Sequence, residues 1–372
     1  MKVLVTGSQG FVAKNLLVHL KVRPDIEALE FSREDSISSL KEMLMQADFV
    51  FHLAGVNRPT DPEDFKSGNT DLTRVVCEGI VANGKKTPVL YTSSSQAELP
   101  NAYGASKLAA EQALMDLMEK HAVPVHIFRL PNVFGKWARP DYNSAVATFC
   151  NNIARHHPIK INNPDAVLTL VYIDDVIAHL VRVMDGQLVG DPYVSIQPTY
   201  STTVGKVAEQ LLAFRESRET LITEAVGTGL TRALYSTYLS YVPPESFTYE
   251  VPKYGDQRGV FVEMLKTQDS GQFSYFTAYP GITRGGHYHH SKTEKFLVIR
   301  GDACFRFRHI VSGEFYELFT TGDKPEIVET VPGWTHDVTN VGSDEMIVML
   351  WANEVFDRDH PDTYALPVGT EA

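Results

Sequence analysis

The sequence predicts an α/β domain built on a doubly wound parallel sheet, joined to a smaller all-β domain. Two observations predict this. Up to about residue 180, short apolar runs alternate with amphipathic stretches, the rhythm of βαβ units. From about Gly259, β-rich runs separated by Gly, Pro, Asp or Ser turns take over and helical patterns disappear, as in a sandwich or small barrel. The length of 372 residues also suits two domains better than one. We place the domains at 1–245 and 246–372.

The first domain's strands are read at KVLVTG (2–7), IEALEFS (26–32), FVFHLAG (49–55), PVLYTSSS (88–95) and VHIFRLP (125–131). Between them, Phe11–Lys21, Ser38–Ala47, Asn69–Asn83 and Ser106–His121 carry helical periodicity. VSIQPTYST (194–202) and a helix from about Val204 to Glu216 extend the same domain. The aromatic, Pro-bearing stretch 234–259 reads as a packed connection. The second domain's strands are read at 261–267, 271–280, 294–301, 303–313, 314–322, 326–333 and 346–353.

Composition is that of a globular protein with two cores, 43% hydrophobic and 22% charged. A net charge of −12 argues against nucleic acid or an acidic membrane as a global partner. Three distant cysteines, Cys77, Cys150 and Cys304, indicate no disulfide framework. The chain enters a strand at once and holds no membrane-length apolar run, so we expect a cytoplasmic protein without membrane insertion.

TGSQGFVA follows the first strand and opens the first helix. Gly7 suits the tight turn, and Gly10, Phe11 and Val12 bring backbone N–H groups to a helix N-terminus that favours a pyrophosphate. Ala13 stands where a third glycine is usual and is small enough for close packing. At the end of the second strand, Ser32 and Arg33 suggest a 2′-phosphate contact, which favours NADPH. Tyr103 and Lys107 lie four apart on one helix face, after a strand ending in serines. A tyrosine alone is a poor acid or base at neutral pH. A neighbouring ammonium favours the phenolate, and a serine can hold a carbonyl. An isolated Tyr-x-x-x-Lys is usually a surface pair; here the glycine loop and the serine-ended strand stand where ketone reduction needs them.

Over about residues 1–240 the chain resembles the extended short-chain dehydrogenase/reductases that act on nucleotide sugars, which have a Rossmann-like fold. The likeness rests on TGSQGFVA, HLAG (52–55), SSS (93–95), YGASK (103–107), RLPNVFG (129–135) and VYIDDV (171–176). It implies Ser95 as the first-choice catalytic serine with Ser94 as alternate, beside Tyr103 and Lys107. It also implies that Leu53, Ala54 and Gly55 line the cofactor, with Lys107 contacting it and Asn132 near the nicotinamide. The short Ser-to-Tyr interval, QAELPNA, departs from the family and calls for a different pocket wall. Gln96-Ala97 stands where the family's dehydratases have Asp-Glu, which favours reduction.

The stretch from Gly281 to Gly301 reads G-x5-H-x-H-x4-E-x6-G, with His287 and His289 on one strand face and Glu294 on the next strand. His336 lies on a later strand. Three imidazoles and a carboxylate suit zinc or another divalent metal. Over about 259–352 this resembles the cupin superfamily, a jelly-roll fold, although Pro332 directly before Gly333 departs from the second cupin motif. DQRGVFVE (256–263) and ITRGGHY (282–288) also resemble sugar-nucleotide 3,5-epimerases, which implies His287 as a general base. One neutral nitrogen cannot both ligate and accept a proton; we favour ligation, leaving Tyr288, His290 and Lys292 as proton carriers.

The full-length arrangement, including GKWARPDYNSAVATFC (135–150) and LYSTYLSY (234–241), resembles the CapF-type family of capsule and O-antigen enzymes. The resemblance implies a UDP-2-acetamido-2,6-dideoxy-hexos-4-ulose substrate, C3 epimerisation in the cupin and NADPH-dependent C4 reduction to UDP-N-acetyl-6-deoxy-L-talosamine, on the route to N-acetyl-L-fucosamine. It further implies zinc, a homodimer, and UDP-sugar contacts from Lys136, Arg139 and Tyr142. The competing readings are a reductase whose metal cupin is structural, a metal-dependent cupin oxygenase or isomerase, and a nucleotide sensor.

Overall fold

The computed structural model describes residues 1–188, 190–243, 246, 249, 251–289, 292, 294–310, 313–330, 334–359 and 361–369. His290, the ends of two expected strands at 311–312 and 331–333, and residue 245 at the expected boundary lie outside the described residues. The chain divides into two compact units. The first is Met1–Leu211 with Ala233–Pro243, and the second is Leu212–Arg232 with Pro244–Ala372. A single boundary at 245 leaves Leu212–Arg232 with the first unit, whereas its contacts belong to the second.

In the first unit, β1 (Lys2–Thr6), β2 (Glu27–Phe31), β3 (Phe49–His52), β4 (Val89–Ser94) and β5 (Val125–Leu130) form a parallel sheet in the order β2-β1-β3-β4-β5. β3 and β4 are buried along their whole length, as a sheet covered on both faces requires. Four helices contribute to the core: α1 (Phe11–Lys21), α2 (Ile37–Gln46), α4 (Leu72–Asn83) and α5 (Ala102–His121). Leu40, Leu44, Val76, Ile80, Ala110 and Leu114 from three of them close over Leu4, Val50, Tyr91 and Ile127 of the strands. A short turn, α3 (Glu63–Phe65), and a π-helical turn over Lys66–Asp71 lead into α4, so the helix expected from Asn69 has an irregular first turn. A separate small sheet joins β6 (Asn132–Phe134), β7 (Val167–Tyr172) and β8 (Tyr200–Thr203). The stretch 194–202 thus ends in this small sheet, while its first residue, Val194, donates its N–H to the Ile127 carbonyl of β5 at 2.9 Å, beside a parallel bridge between Ile127 and Tyr193.

Helices α6 (Ala145–Ala154), α7 (Ile173–Met184), α8 (Val204–Thr220) and α9 (Gly229–Leu239) follow. LYSTYLSY, read from sequence as part of a packed connection, is largely helical, in α9. Its Ser, Thr and Tyr residues are weak helix formers, but Ala233, Leu234, Thr237 and Tyr238 make a buried stripe, and burial overrides propensity.

The second unit is a sandwich of two mostly antiparallel sheets. One holds β10 (Lys253–Asp256), β11 (Gly259–Thr267), β12 (Gly271–Ala278), β14 (Glu294–Arg300), β17 (Ile327–Glu329) and β19 (Met346–Ala352), with β9 (Ile222–Thr223) added parallel to β11. The other holds β13 (Thr283–Tyr288), β15 (Asp302–His309), β16 (Phe315–Thr321), β18 (Trp334–Asn340) and β20 (Tyr364–Ala365). Phe276, Phe296, Val298 and Val348 from the first sheet pack with Phe305, Phe307 and Val338 from the second to make its core.

Candidate active site and metal centre

The order of the parallel sheet reverses between β1 and β3, and such a switch point opens a crevice at the strands' carboxyl ends. Gly7 leaves β1 at φ +70°, and a Cβ there would lie 2.7 Å from the Ala54 Cα. Glycine is required on both counts. The Gly10 N–H closes the turn onto the Gly7 carbonyl at 2.8 Å. Gly10 also caps α1 without a side-chain hydrogen bond, so first-turn N–H groups face the crevice uncapped by the protein. These features fit a dinucleotide pyrophosphate.

At the end of β2, the Ser32 N–H and hydroxyl are both taken by the Asp35 carboxylate, at 2.8 and 2.9 Å. Of the two residues expected to meet a 2′-phosphate, Arg33 alone is exposed and without an ion pair among the described residues. Leu53, Ala54 and Gly55 follow β3. The Ala54 N–H donates to Thr6 Oγ1 at 3.2 Å, and a Cβ on Gly55 would approach Lys107 Nζ to 3.3 Å. Asn69, which no sequence motif singles out, ties this loop down by bonding the Val56 N–H and C=O at 2.8 and 3.0 Å and Ser106 Oγ at 2.9 Å.

Tyr103 and Lys107 stand on the first turns of α5, whose N-cap is Asn101. Ser94, the buried last residue of β4, is the serine whose side chain acts on Tyr103 electrostatically. Ser95, the first choice from sequence, lies one position past the strand and is exposed. Burial raises the Tyr103 pKa, only partly opposed by Ser94. This differs from the lowering expected of a lysine neighbour: the Lys107 ammonium donates to Tyr91 and Thr92, and desolvation sets the direction for Tyr103. A tyrosine that stays protonated is the form a proton donor needs. Lys107 is buried. Its ammonium donates to the Thr92 carbonyl at 2.9 Å and to the Tyr91 hydroxyl at 3.1 Å, and burial lowers its pKa to about 8. One turn on, buried Glu111 accepts from Ser93 Oγ, from Arg129 Nε and Nη2, and from the Tyr193 hydroxyl.

Asn132 begins β6, exposed, and donates to the Thr169 carbonyl at 3.2 Å. Lys136 is held by Asp174 at 2.5 Å, so its charge is already paired. Tyr142 donates to Asn57 at 2.7 Å, and Arg139 stacks over the Tyr142 ring at 5.4 Å. Arg139 is thus the expected UDP contact whose charge is unpaired among the described residues.

In the second unit, the ligand atoms of His287, His289, Glu294 and His336 all lie within 4.8 Å of one another. Strand register makes this possible, since β13 and β18 place His287 directly opposite His336. His289 Nδ1 lies 2.6 Å from the Asp362 carbonyl, which can only accept, so Nδ1 carries the hydrogen. A neutral His289 then turns the Nε2 lone pair toward Glu294 Oε2, 3.2 Å away. His336 Nε2 approaches the same oxygen at 3.3 Å, and neither ring nitrogen of His336 has a hydrogen-bond partner among the described residues. Buried acceptors converging in this way call for a proton or a cation between them. Burial, reinforced by His336, pushes the His287 pKa down to about 4. Burial alone would raise the Glu294 pKa; protons on the facing His289 and His336 nitrogens, where present, would more than offset it and hold the carboxylate below its usual range. The donor set fits a divalent metal. Of the expected proton carriers, Tyr288 stacks on Tyr364, and Lys292 is buried with its ammonium on the Pro361 carbonyl and Thr363 Oγ1.

A glycine-loop α/β domain with a Ser-Tyr-Lys set, followed by a β sandwich with a His-Glu cluster, defines a nicotinamide-dependent enzyme carrying a cupin-like module. Residues 3–194 match the NAD dependent epimerase/dehydratase family and residues 254–364 match the polysaccharide biosynthesis C-terminal domain. The chain belongs to the NAD dependent epimerase/dehydratase family. It is 63% identical to the UDP-2-acetamido-2,6-beta-L-arabino-hexul-4-ose reductase of Pseudomonas aeruginosa over 100% of both chains. Its structure matches the crystal structure of the capsular polysaccharide assembling protein CapF from Staphylococcus aureus with a TM-score of 0.92 and 41% identity, over 99% of this chain and 100% of that one. UDP-glucuronic acid 4-epimerase from Bacillus cereus, at 17% identity and a TM-score of 0.54 over 65% of this chain and 96% of that one, shares the fold of the first part. Among the described residues no helix is long and apolar enough to cross a membrane.

Proposed function

We propose that this chain reduces the C4 ketone of a UDP-linked 2-acetamido-2,6-dideoxy-hexos-4-ulose with NADPH, after inverting C3 of the same sugar in its cupin-like unit. The observation that carries the reading is the placement of buried Ser94 at the end of β4 with Tyr103 and buried Lys107 on the first turns of α5, in a chain related end to end to a protein named as a 4-ulose reductase. When bound, the nicotinamide supplies hydride to C4. Ser94 holds the ketone oxygen, and Tyr103 gives that oxygen its proton. The Lys107 ammonium favours the phenolate left behind and presents donors beside Gly55, where the cofactor ribose would lie. Arg33 supports a 2′-phosphate, although the Asp35 carboxylate two residues on works against one.

The ketone also acidifies the C3 hydrogen, which gives one substrate two uses. A base in the second unit removes that proton, and an acid on the opposite sugar face returns one. His287, His289, Glu294 and His336 would hold a divalent metal such as zinc, and a bound metal would supply positive charge for the enolate. Reduction at C4 then fixes the new centre, giving the UDP-N-acetyl-6-deoxy-L-talosamine level. A cytoplasmic homodimer belongs to the same reading and is checked by sedimentation.

Product NMR from the 4-keto sugar in deuterated water, with and without NADPH, tests both halves. Deuterium at C3 without NADPH and a C4 alcohol only with it are expected; an unlabelled C3 sinks the epimerase. Tyr103→Phe should lower kcat for reduction by about 100-fold or more and leave C3 exchange unchanged. Unimpaired reduction would remove Tyr103 from the mechanism. Arg33→Ala should weaken NADPH and spare NADH.

A further inference from the structure

We propose that the segment 361–368 is part of the metal site and acts by fixing the tautomer and aim of His289. The proposal rests on the metal reading of the His-Glu cluster given above. Asp362 offers its backbone carbonyl to His289 Nδ1 at 2.6 Å, which leaves Nε2 as the lone pair directed at the cluster.

That carbonyl is aimed by a backbone turn that few residues adopt, since Asp362 sits at φ +36°. Aspartate tolerates this region better than most side chains. Its carboxylate accepts the Lys292 N–H at 2.8 Å, tying the turn to the chain between His289 and Glu294. The buried Lys292 ammonium grips the residues on either side, the Pro361 carbonyl at 3.1 Å and Thr363 Oγ1 at 2.7 Å.

The rest of the segment is stitched to strands β13 and β18, which carry His287 and His336, and to β15 between β16 and β18. The Leu366 N–H donates to the Gly286 carbonyl at 2.9 Å, next to His287. Thr335, next to His336, donates from Oγ1 to the Leu366 carbonyl. Arg308 Nε donates to the Val368 carbonyl at 2.7 Å, and the Val368 side chain is buried. Every sequence neighbourhood that holds a cluster histidine is thus bonded to 361–368. Lys292, Asp362 and Thr363 are positioning residues: they act on the cluster through the turn that carries the Asp362 carbonyl.

The test is zinc retention by the full-length protein, read as stoichiometry after desalting and as the rate of release to a chromogenic chelator. Wild type should hold one equivalent. Lys292→Met keeps the apolar stem and removes the ammonium. Asp362→Ala removes the carboxylate and disfavours the turn. Both should release zinc about 10- to 100-fold faster, the scale of lost outer-sphere partners. Asp362→Asn keeps an acceptor and the turn, and should retain wild-type release. The isosteric Thr363→Val should speed release about five-fold, as for one hydrogen bond, and it decides the matter if a harsher variant does not fold. Unchanged melting of the metal-free variants separates positioning from general stability. Zinc-loaded wild type with all variants releasing at its rate overturns the role of 361–368. Wild type that binds no zinc overturns the metal reading beneath it.

Discussion

Replacing Arg129 with methionine should destabilise the first unit more than replacing both Arg129 and its partner Glu111. The Glu111 side chain is 1% exposed, and Arg129, 29% exposed, supplies its counter-charge, at 3.1 Å from Nε to Oε1 and 2.7 Å from Nη2 to Oε2. Ser93 and Tyr193 give it neutral donors. Arg129→Met therefore leaves a carboxylate buried without that counter-charge, which costs about 3–5 kcal/mol in a closed interior. Partial water access through the arginine's exposed edge puts the expectation near the lower bound, about 3 kcal/mol. Glu111→Leu with Arg129→Met removes both charges and leaves Ser93 Oγ without its acceptor, so about 1–2 kcal/mol is expected. The assay is urea unfolding followed by the helical circular-dichroism signal, because the described helices lie mainly in the first unit. A double variant less stable than the single would refute the argument that uncompensated charge dominates. Ser93 precedes Ser94 and Glu111 lies one turn beyond Lys107, so the single variant should also lower kcat for reduction.

Lys107, with its pKa lowered to about 8, is charged below that pH and neutral above it, so kcat/KM for reduction should fall as pH rises through about 8. Lys107→Arg, permanently charged, should move that limb upward in any variant that stays active; an unmoved limb assigns it elsewhere. Buried His52 is held between Thr6 and Thr73, and burial pushes its pKa from 6.5 down to about 3. The unfolded chain then binds a proton that the folded one does not, so stability should fall as pH drops from 6.5 toward 3. His52→Gln should flatten that slope, seen in urea midpoints across the range. Gly7→Ala should cost about 1–2 kcal/mol from the left-handed backbone alone, and the crowding against Ala54 should weaken NADPH about ten-fold or more in a fluorescence titration. Normal affinity in the Gly7→Ala variant would mean that the turn does not meet the cofactor.

The parallel sheet was legible because its strands are continuous apolar runs, and the glycine turn because few other residues can leave β1 so close to another loop. The choice between Ser94 and Ser95 was not. Three consecutive serines look alike until the end of strand β4 leaves Ser93 and Ser94 buried and Ser95 exposed. Helix α9 was hidden by its serines, threonines and tyrosines, whose burial depends on partners distant in sequence. The histidines announced themselves by type and spacing. Asp362 did not, because it acts through a backbone carbonyl, which every residue possesses. Lys136 looked available until its pairing with Asp174, 38 residues away, was visible.

Strand β18 carries two messages in alternate letters. His336 and Val338 point to the interior, while Asp337 between them pairs with Arg306 at 2.9 Å. Adding or deleting one residue within the strand would exchange the two sets, moving a carboxylate into the core and a histidine out of the cluster. Length variation in natural or engineered relatives should therefore spare β18, and an insertional scan should show it as a gap.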